Sequence, residues 1–223
     1  MTKSSVAQQV ARILLRSQAV SLRPTAPFRF ASGLLAPIYC DNRILISLPR
    51  QRRQVVRHLA ELVRDRNLAV DVVAGTATAG IPHAAWLAEV LRLPMVYVRS
   101  KSKDHGTARL VEGLLATGQQ TIVVEDLVTT GGSSLSSVAA LRQAGAVVDH
   151  VLAIFTYAFP ETEVAFTQGE VELHALTTLP DLLDVAVTDR YLSSDEREMV
   201  VAWAADPKGW SQQNESSSMS ISA

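Results

Sequence analysis

Cysteine is almost missing from this chain. Cys40 is the single thiol in 223 residues, so no intrachain disulfide can form and a cysteine-based zinc site is excluded. An excess of one charge is missing too. Lys and Arg number 21 against 22 for Asp and Glu, a formal net charge of -1, which gives no general drive toward nucleic acid or an anionic membrane. Any anion bound here must be held by a local cluster of cations. No apolar run approaches the ~18 residues of a membrane span. Residues 1–5 are polar, and the amphipathic stretch after them carries no cleavage signature. These absences read as a soluble cytoplasmic protein with no nucleic-acid and no membrane partner. What is present is 48% hydrophobic and 19% charged residues, enough for a sizeable core, so global disorder is excluded. The length suits one α/β domain with a small appendage.

The apolar pattern divides the chain in three. Val6, Val10, Ile13 and Leu14 recur at helical spacing, which predicts a helix over 4–18. Residues 21–48 hold Pro24, Pro27, Gly33 and Pro37 between short apolar runs, and read as strands and turns of a lid. Residues 1–48 are therefore the N-terminal helix and lid. Pro49 opens a helix with Val55, Val56, Leu59, Leu62 and Val63 on one face. Its arginines, and with them His58, are expected to face solvent. Apolar strands follow at 70–75, 94–99, 120–126, 147–156 and 171–176, with helices near 79–91, 134–144 and 193–205. Continuous apolar strands between helices predict a five-stranded, mainly parallel sheet covered on both faces, with the core over 49–205. Such sheets bind ligands at the carboxyl ends of their strands, so the informative loops begin near 75, 99 and 126. The serine-rich residues 206–223 are expected to form a disordered tail.

The loop after the third strand carries the most chemistry. It reads Glu125-Asp126-Leu127-Val128-Thr129-Thr130-Gly131-Gly132-Ser133-Ser134. Its glycines let backbone N–H groups turn inward, its hydroxyls donate hydrogen bonds, and the following helix N-terminus adds partial positive charge. That is a cradle for one phosphate. The two carboxylates would accept hydrogen bonds from vicinal hydroxyls or hold Mg²⁺ through water. Neither the Walker A lysine motif nor GxGxxG is present. EDLVTTGGSS resembles the phosphoribosyl diphosphate (PRPP) motif of type I phosphoribosyltransferases. The resemblance implies that Glu125 and Asp126 contact ribose hydroxyls, with Mg²⁺ nearby, and that Thr129, Thr130, Gly131, Gly132 and Ser133 bind the 5′-phosphate.

Two other loops extend the resemblance. Gly75 to Pro82, through Thr76, Ala77 and Thr78, corresponds to the family's diphosphate-binding loop. That loop often carries a non-proline cis peptide, here near Ala77–Thr78. RSKSKDHGT at 99–107 resembles the catalytic loop of orotate phosphoribosyltransferases. There it closes over the neighbouring subunit's active site in a homodimer. Arg99, Lys101, Lys103 and His105, with Asp126, would then be the catalytic groups.

The segments FRFASG and PIYCDNR resemble the N-terminal part of the same enzymes, which purine phosphoribosyltransferases do not share. The implied orotate contacts are Tyr39, Arg43, Thr129 and Tyr157. Arg43 is the candidate for the carboxylate, because a guanidinium pairs with it through two hydrogen bonds. The chain departs from many members in three places. Ala31 stands where Lys is common, Phe155-Thr156-Tyr157 where a base-contacting Arg is common, and the acid pair is Glu-Asp. The implied activity is Mg²⁺-dependent transfer of phosphoribose from PRPP to orotate. A purine phosphoribosyltransferase and a non-catalytic PRPP-sensing regulator remain alternatives. Cys40 and the tryptophans read as packing residues, with Trp210 in the tail, and His83, His150 and His174 show no metal-ligand spacing.

Overall fold

The structure is a computed structural model that describes residues 4–30, 32–100 and 110–220. Lys101, Lys103 and His105 lie outside the described residues, as does Ala31.

Helix α1 (Val6–Arg16) starts at Ser5, whose side chain and that of Gln8 form a reciprocal capping box. It buries Val10, Ala11, Leu14 and Leu15 on one stripe. The lid follows as two antiparallel pairs, β1 (Val20–Leu22) with β4 (Ile38–Cys40), and β2 (Phe28–Arg29) with β3 (Leu35–Ala36). A 3₁₀ turn over Asn42–Ser47 leads to α2 (Pro49–Asp65), which begins on its proline. The core then runs β5 (Val72–Thr76), α3 (Gly80–Leu91), β6 (Met95–Val98), β7 (Val111–Glu112), β8 (Gln120–Val128), α4 (Gly132–Gln143) and β9 (Val147–Thr156). It closes with α5 (Pro160–Gln168), β10 (Glu172–Thr178), α6 (Leu179–Thr188), α7 (Ser194–Ala205) and α8 (Pro207–Ser220).

The central sheet has six strands in the order β10-β9-β8-β5-β6-β7, five of them parallel. The five expected strands are all present. The sixth, β7, pairs antiparallel with β6 at the sheet edge. Two residues show no periodicity, so only the pairing reveals it. Alternate side chains of the strands feed two apolar layers. Val73, Ile122, Val124, Leu152 and Ile154 pack with α1, α2, α3 and α6. Val72, Ala74, Val123, Val151 and Ala153 pack with α4 and Phe166 of α5.

Two expectations are corrected. The stretch 206–223 contains helix α8, which packs on α7 and β3. Trp210 is buried, the Ser211 hydroxyl accepts from the Leu35 N–H at 2.9 Å, and Arg29 pairs with Glu215 at 2.6 Å. One buried indole and two polar stitches to the lid hold a segment whose composition carries no helical periodicity. His58 is buried rather than solvent-facing, with Nδ1 2.8 Å from Glu61 Oε2. Packing of α1 against α2 widens the covered stripe beyond the aliphatic residues.

Candidate active site

Adjacency of β5 and β8 builds the site. Gly75 pairs with Val124, so the two strands end side by side and their loops leave the same edge. Both loops lead directly into helices, α3 and α4, whose first turns have no side-chain cap. The N–H groups there stay available to an anion. The α3 loop is tightly wound. A Cβ on Gly75 would lie 2.8 Å from Ile81 Cα, and one on Gly80 would run into the Val124 carbonyl oxygen. The Ala77–Thr78 peptide is cis, at the expected position. On the α4 side Gly131 has φ +89, and a Cβ there would meet the Phe166 ring at 2.5 Å.

The two acids sit at the mouth between these loops. Glu125 is buried, and one carboxylate oxygen accepts from the Ser133 hydroxyl at 3.2 Å. The other, Oε2, has no hydrogen-bond partner among the described residues. Burial, reinforced by Asp126, pushes the Glu125 carboxyl up to about 8, against the partial offset of the Thr76 and Ser133 hydroxyls. Burial likewise raises Asp126. The Asp126 backbone carbonyl accepts from Asn42 Nδ2 at 2.6 Å, tying the lid to the site. An orphaned buried acceptor beside a second raised acid is a donor set suited to sugar hydroxyls or to Mg²⁺ with its water.

A cavity of about 250 Å³ is lined among others by Thr76, Ala77, Arg99, Gly132 and Ser133; neither acid lines it, and Ser133 links it to Glu125. The structure thus brings Thr76, Ala77, Gly132 and Ser133 together with Arg99, whereas Thr78, Thr129, Thr130 and Gly131 do not line this cavity. Arg99 sits on the β6–β7 hairpin, where its guanidinium lies 3.5 Å from Glu112. Thr129 and Thr130 are exposed at the tip of the turn, and the Thr129 carbonyl accepts from Thr162 at 2.6 Å. Sequence reasoning missed Ser136 and Ser137, which line the same cavity, with Thr76 Oγ1 3.1 Å from the Ser137 hydroxyl. Their spacing from Ser133, three and four residues along α4, is the signal that could have found them.

The lid supplies the other side. Tyr39 is exposed and leans on Phe28 and Phe30. Tyr157, at the end of β9, is buried and stacked on Phe159 with ring centroids 5.2 Å apart. Burial raises the Tyr157 hydroxyl, and Cys40 and Tyr39 add to the effect. Burial also raises the Cys40 thiol, which disfavours the nucleophilic thiolate, in line with a packing role. Arg43 is mostly exposed and forms a two-pronged pair with Asp41, at 2.6 and 2.9 Å. Burial is the main cause of the raised Asp126 carboxyl; the charge of Asp41 adds to it and that of Arg43 opposes it.

A buried parallel sheet with an acid pair and a phosphate-sized cradle at its carboxyl edge defines a phosphoribosyltransferase domain. The family model for the phosphoribosyl transferase domain matches residues 48–160. Over 204 residues the chain is 43% identical to an orotate phosphoribosyltransferase of Coxiella burnetii, covering 92% of this chain and 98% of that one. Among solved structures it resembles orotate phosphoribosyltransferase from Aeropyrum pernix, with TM-score 0.68 and 34% identity over 78% of this chain and 96% of that chain. It also resembles the Mycobacterium tuberculosis orotate phosphoribosyltransferase solved in complex with PRPP, with TM-score 0.62 and 25% identity over 79% of this chain and 98% of that chain. The chain belongs to the orotate phosphoribosyltransferase family.

Proposed function

We infer that the protein transfers the 5-phosphoribosyl group of PRPP to orotate, giving orotidine 5′-monophosphate and diphosphate in pyrimidine biosynthesis. The observation that carries this reading is the cavity between the β5 and β8 loops. It gathers Arg99 and the hydroxyls of Thr76, Ser133, Ser136 and Ser137 at the uncapped start of α4, and Ser133 links it to Glu125. One edge suits phosphates and the other suits ribose hydroxyls.

The C1–O bond to diphosphate breaks toward an oxocarbenium-like ribosyl cation, and the orotate ring nitrogen adds at C1. Orotate is already anionic, so no strong base is required. The difficulty is the charge that builds on the departing diphosphate. Thr76, Ala77, Thr78 and Arg99 hold that diphosphate, and Thr129 to Ser133 hold the 5′-phosphate. Lys101, Lys103 and His105 supply the remaining cations from the loop after β6, acting on the active site of a second copy in a homodimer. Closure of that loop excludes water that would hydrolyse PRPP. Glu125 and Asp126 orient the ribose hydroxyls and are the residues that would hold Mg²⁺ through water. Mg²⁺, when bound, neutralises diphosphate charge. Tyr39, Arg43, Thr129 and Tyr157 receive orotate, with Arg43 leaving Asp41 to grip its carboxylate. We assign residues 1–48 to the lid side and 49–205 to the transferase core. We place the protein in the cytoplasm, which suits a chain with a lone cysteine and, among the described residues, no helix long and apolar enough to cross a membrane.

Diphosphate release from PRPP, measured with orotate, hypoxanthine and adenine as acceptors, tests this reading. The expected result is turnover with orotate alone. Preference for a purine would overturn the choice of base, and PRPP binding without turnover would favour a sensor.

A further inference from the structure

His150, Glu172 and His174 are separated in sequence and meet through strand pairing. β9 and β10 run parallel with Glu172 opposite His150 and His174 opposite Leu152. Side chains alternate along a strand, so Glu172 and His174 project from one face, and His150 projects beside them. His174 Nε2 lies 3.2 Å from His150 Nδ1. Oε2 of Glu172 lies 3.5 Å from the first nitrogen and 3.8 Å from the second. A point about 2.0 Å from all three atoms exists at the centre of that triangle, and this is the length of Zn–N and Zn–O bonds. One ion there would bond the three groups with little movement.

The surroundings suit an ion. His174 is buried, while Glu172 is exposed and His150 partly so, which leaves an entry path and a position for water. Arg66 lies 3.7 Å from the other carboxylate oxygen, Oε1, and so turns Oε2 toward the imidazoles. We propose that His150, Glu172 and His174 form a binding site for a borderline divalent transition-metal ion of the Zn²⁺ class, with solvent completing its coordination. Mg²⁺ prefers an all-oxygen shell and is refused. The register sets His150 opposite Ile122 and Ala153 opposite Glu125, so the cluster lies three residues, about 10 Å at the strand rise, toward the amino end of the sheet from the acid pair. The ion would tie β10, the edge strand, to β9.

The test uses the full chain stripped with a chelator, titrated with Zn²⁺ by calorimetry and with Co²⁺ by visible absorption. One equivalent should bind, the Co²⁺ spectrum should show the bands of a low-coordinate N/O site, and Zn²⁺ but not Mg²⁺ should raise Tm. His150→Ala should weaken Zn²⁺ binding by at least about tenfold and abolish the Co²⁺ bands, with orotate turnover in Mg²⁺ unchanged. Glu172→Gln keeps the side-chain shape and should produce the same loss, which covers the case in which His150→Ala fails to fold. Absence of a saturable equivalent, or affinity and spectrum unaltered in the folded variants, overturns the proposal.

Discussion

The two ends of one parallel sheet hold glutamates in opposite circumstances. At the carboxyl end, Glu125 is buried, one of its oxygens has no partner among the described residues, and its carboxyl is pushed up to about 8. At the amino end, Glu172 is exposed and its two oxygens face Arg66 on one side and two imidazoles on the other. The carboxyl end leaves a raised acid with one oxygen unsatisfied among the described residues. The amino end satisfies its acid locally. The difference follows from how each end is made. Where β5 and β8 stop, loops carry consecutive backbone N–H groups and hydroxyls into one space. Where β9 and β10 start, no such loop contributes, and a cluster arises only from strand register.

The largest expected effect separates the ends outright. Lys103→Ala removes a cation from the leaving group and should lower turnover with orotate by about 10²–10³-fold. Circular dichroism and Zn²⁺ binding at the amino end should not change. Near-normal turnover would remove Lys103 from the mechanism.

Arg43→Ala is the next largest. Its guanidinium rests on Asp41, and it must exchange that partner for the orotate carboxylate if it reads the base. Losing a charged hydrogen-bonded contact should raise KM for orotate about 10–100-fold and leave KM for PRPP within about twofold. Equal changes in both constants would make Arg43 a brace of the lid instead.

Glu125→Gln tests the electrostatics of the carboxyl end. The ordinary value of a glutamate is 4.5, and the folded protein holds this proton up to about 8. Between those values the folded chain binds a proton that the unfolded chain has released, so ligand-free stability falls as pH rises through the window. Glu125→Gln should flatten that fall, read as the difference in denaturation midpoint between about pH 5 and about pH 8.5. A wild-type slope retained in the variant would assign the effect to another group.

The same contrast explains what the sequence made legible. The β8 strand, its acids and the Thr129–Ser133 turn are contiguous, so residue type and order were enough to place the strand, the turn and the following helix. The boundaries of β9, Val147–Thr156, fell as expected on a run that is apolar but for Asp149, His150 and the closing Thr156. Features that depend on meeting a distant partner stayed hidden. β7 exists only because Val111 and Glu112 pair with β6. Helix α8 is held by Trp210 and by Ser211 against Leu35, contacts that no composition rule anticipates. Histidines 24 residues apart carry no ligand spacing until parallel pairing sets His150 beside Glu172.

The smallest effect bears on whether the ends are independent. Without a transition metal, Glu172→Gln loses an exposed ion pair with Arg66 at 3.7 Å, a contact of a kind worth about 0–1 kcal/mol after screening and side-chain ordering. The metal-free variant should therefore unfold within a degree or two of wild type, and its turnover with orotate in Mg²⁺ should match. Adding Zn²⁺ should open a gap in Tm between the two proteins, because only wild type offers all three ligand atoms. The comparison breaks if the metal-free variant also loses turnover. About 10 Å of β9 would then carry coupling between the two, and β10 would have to shift with the site rather than stand apart from it.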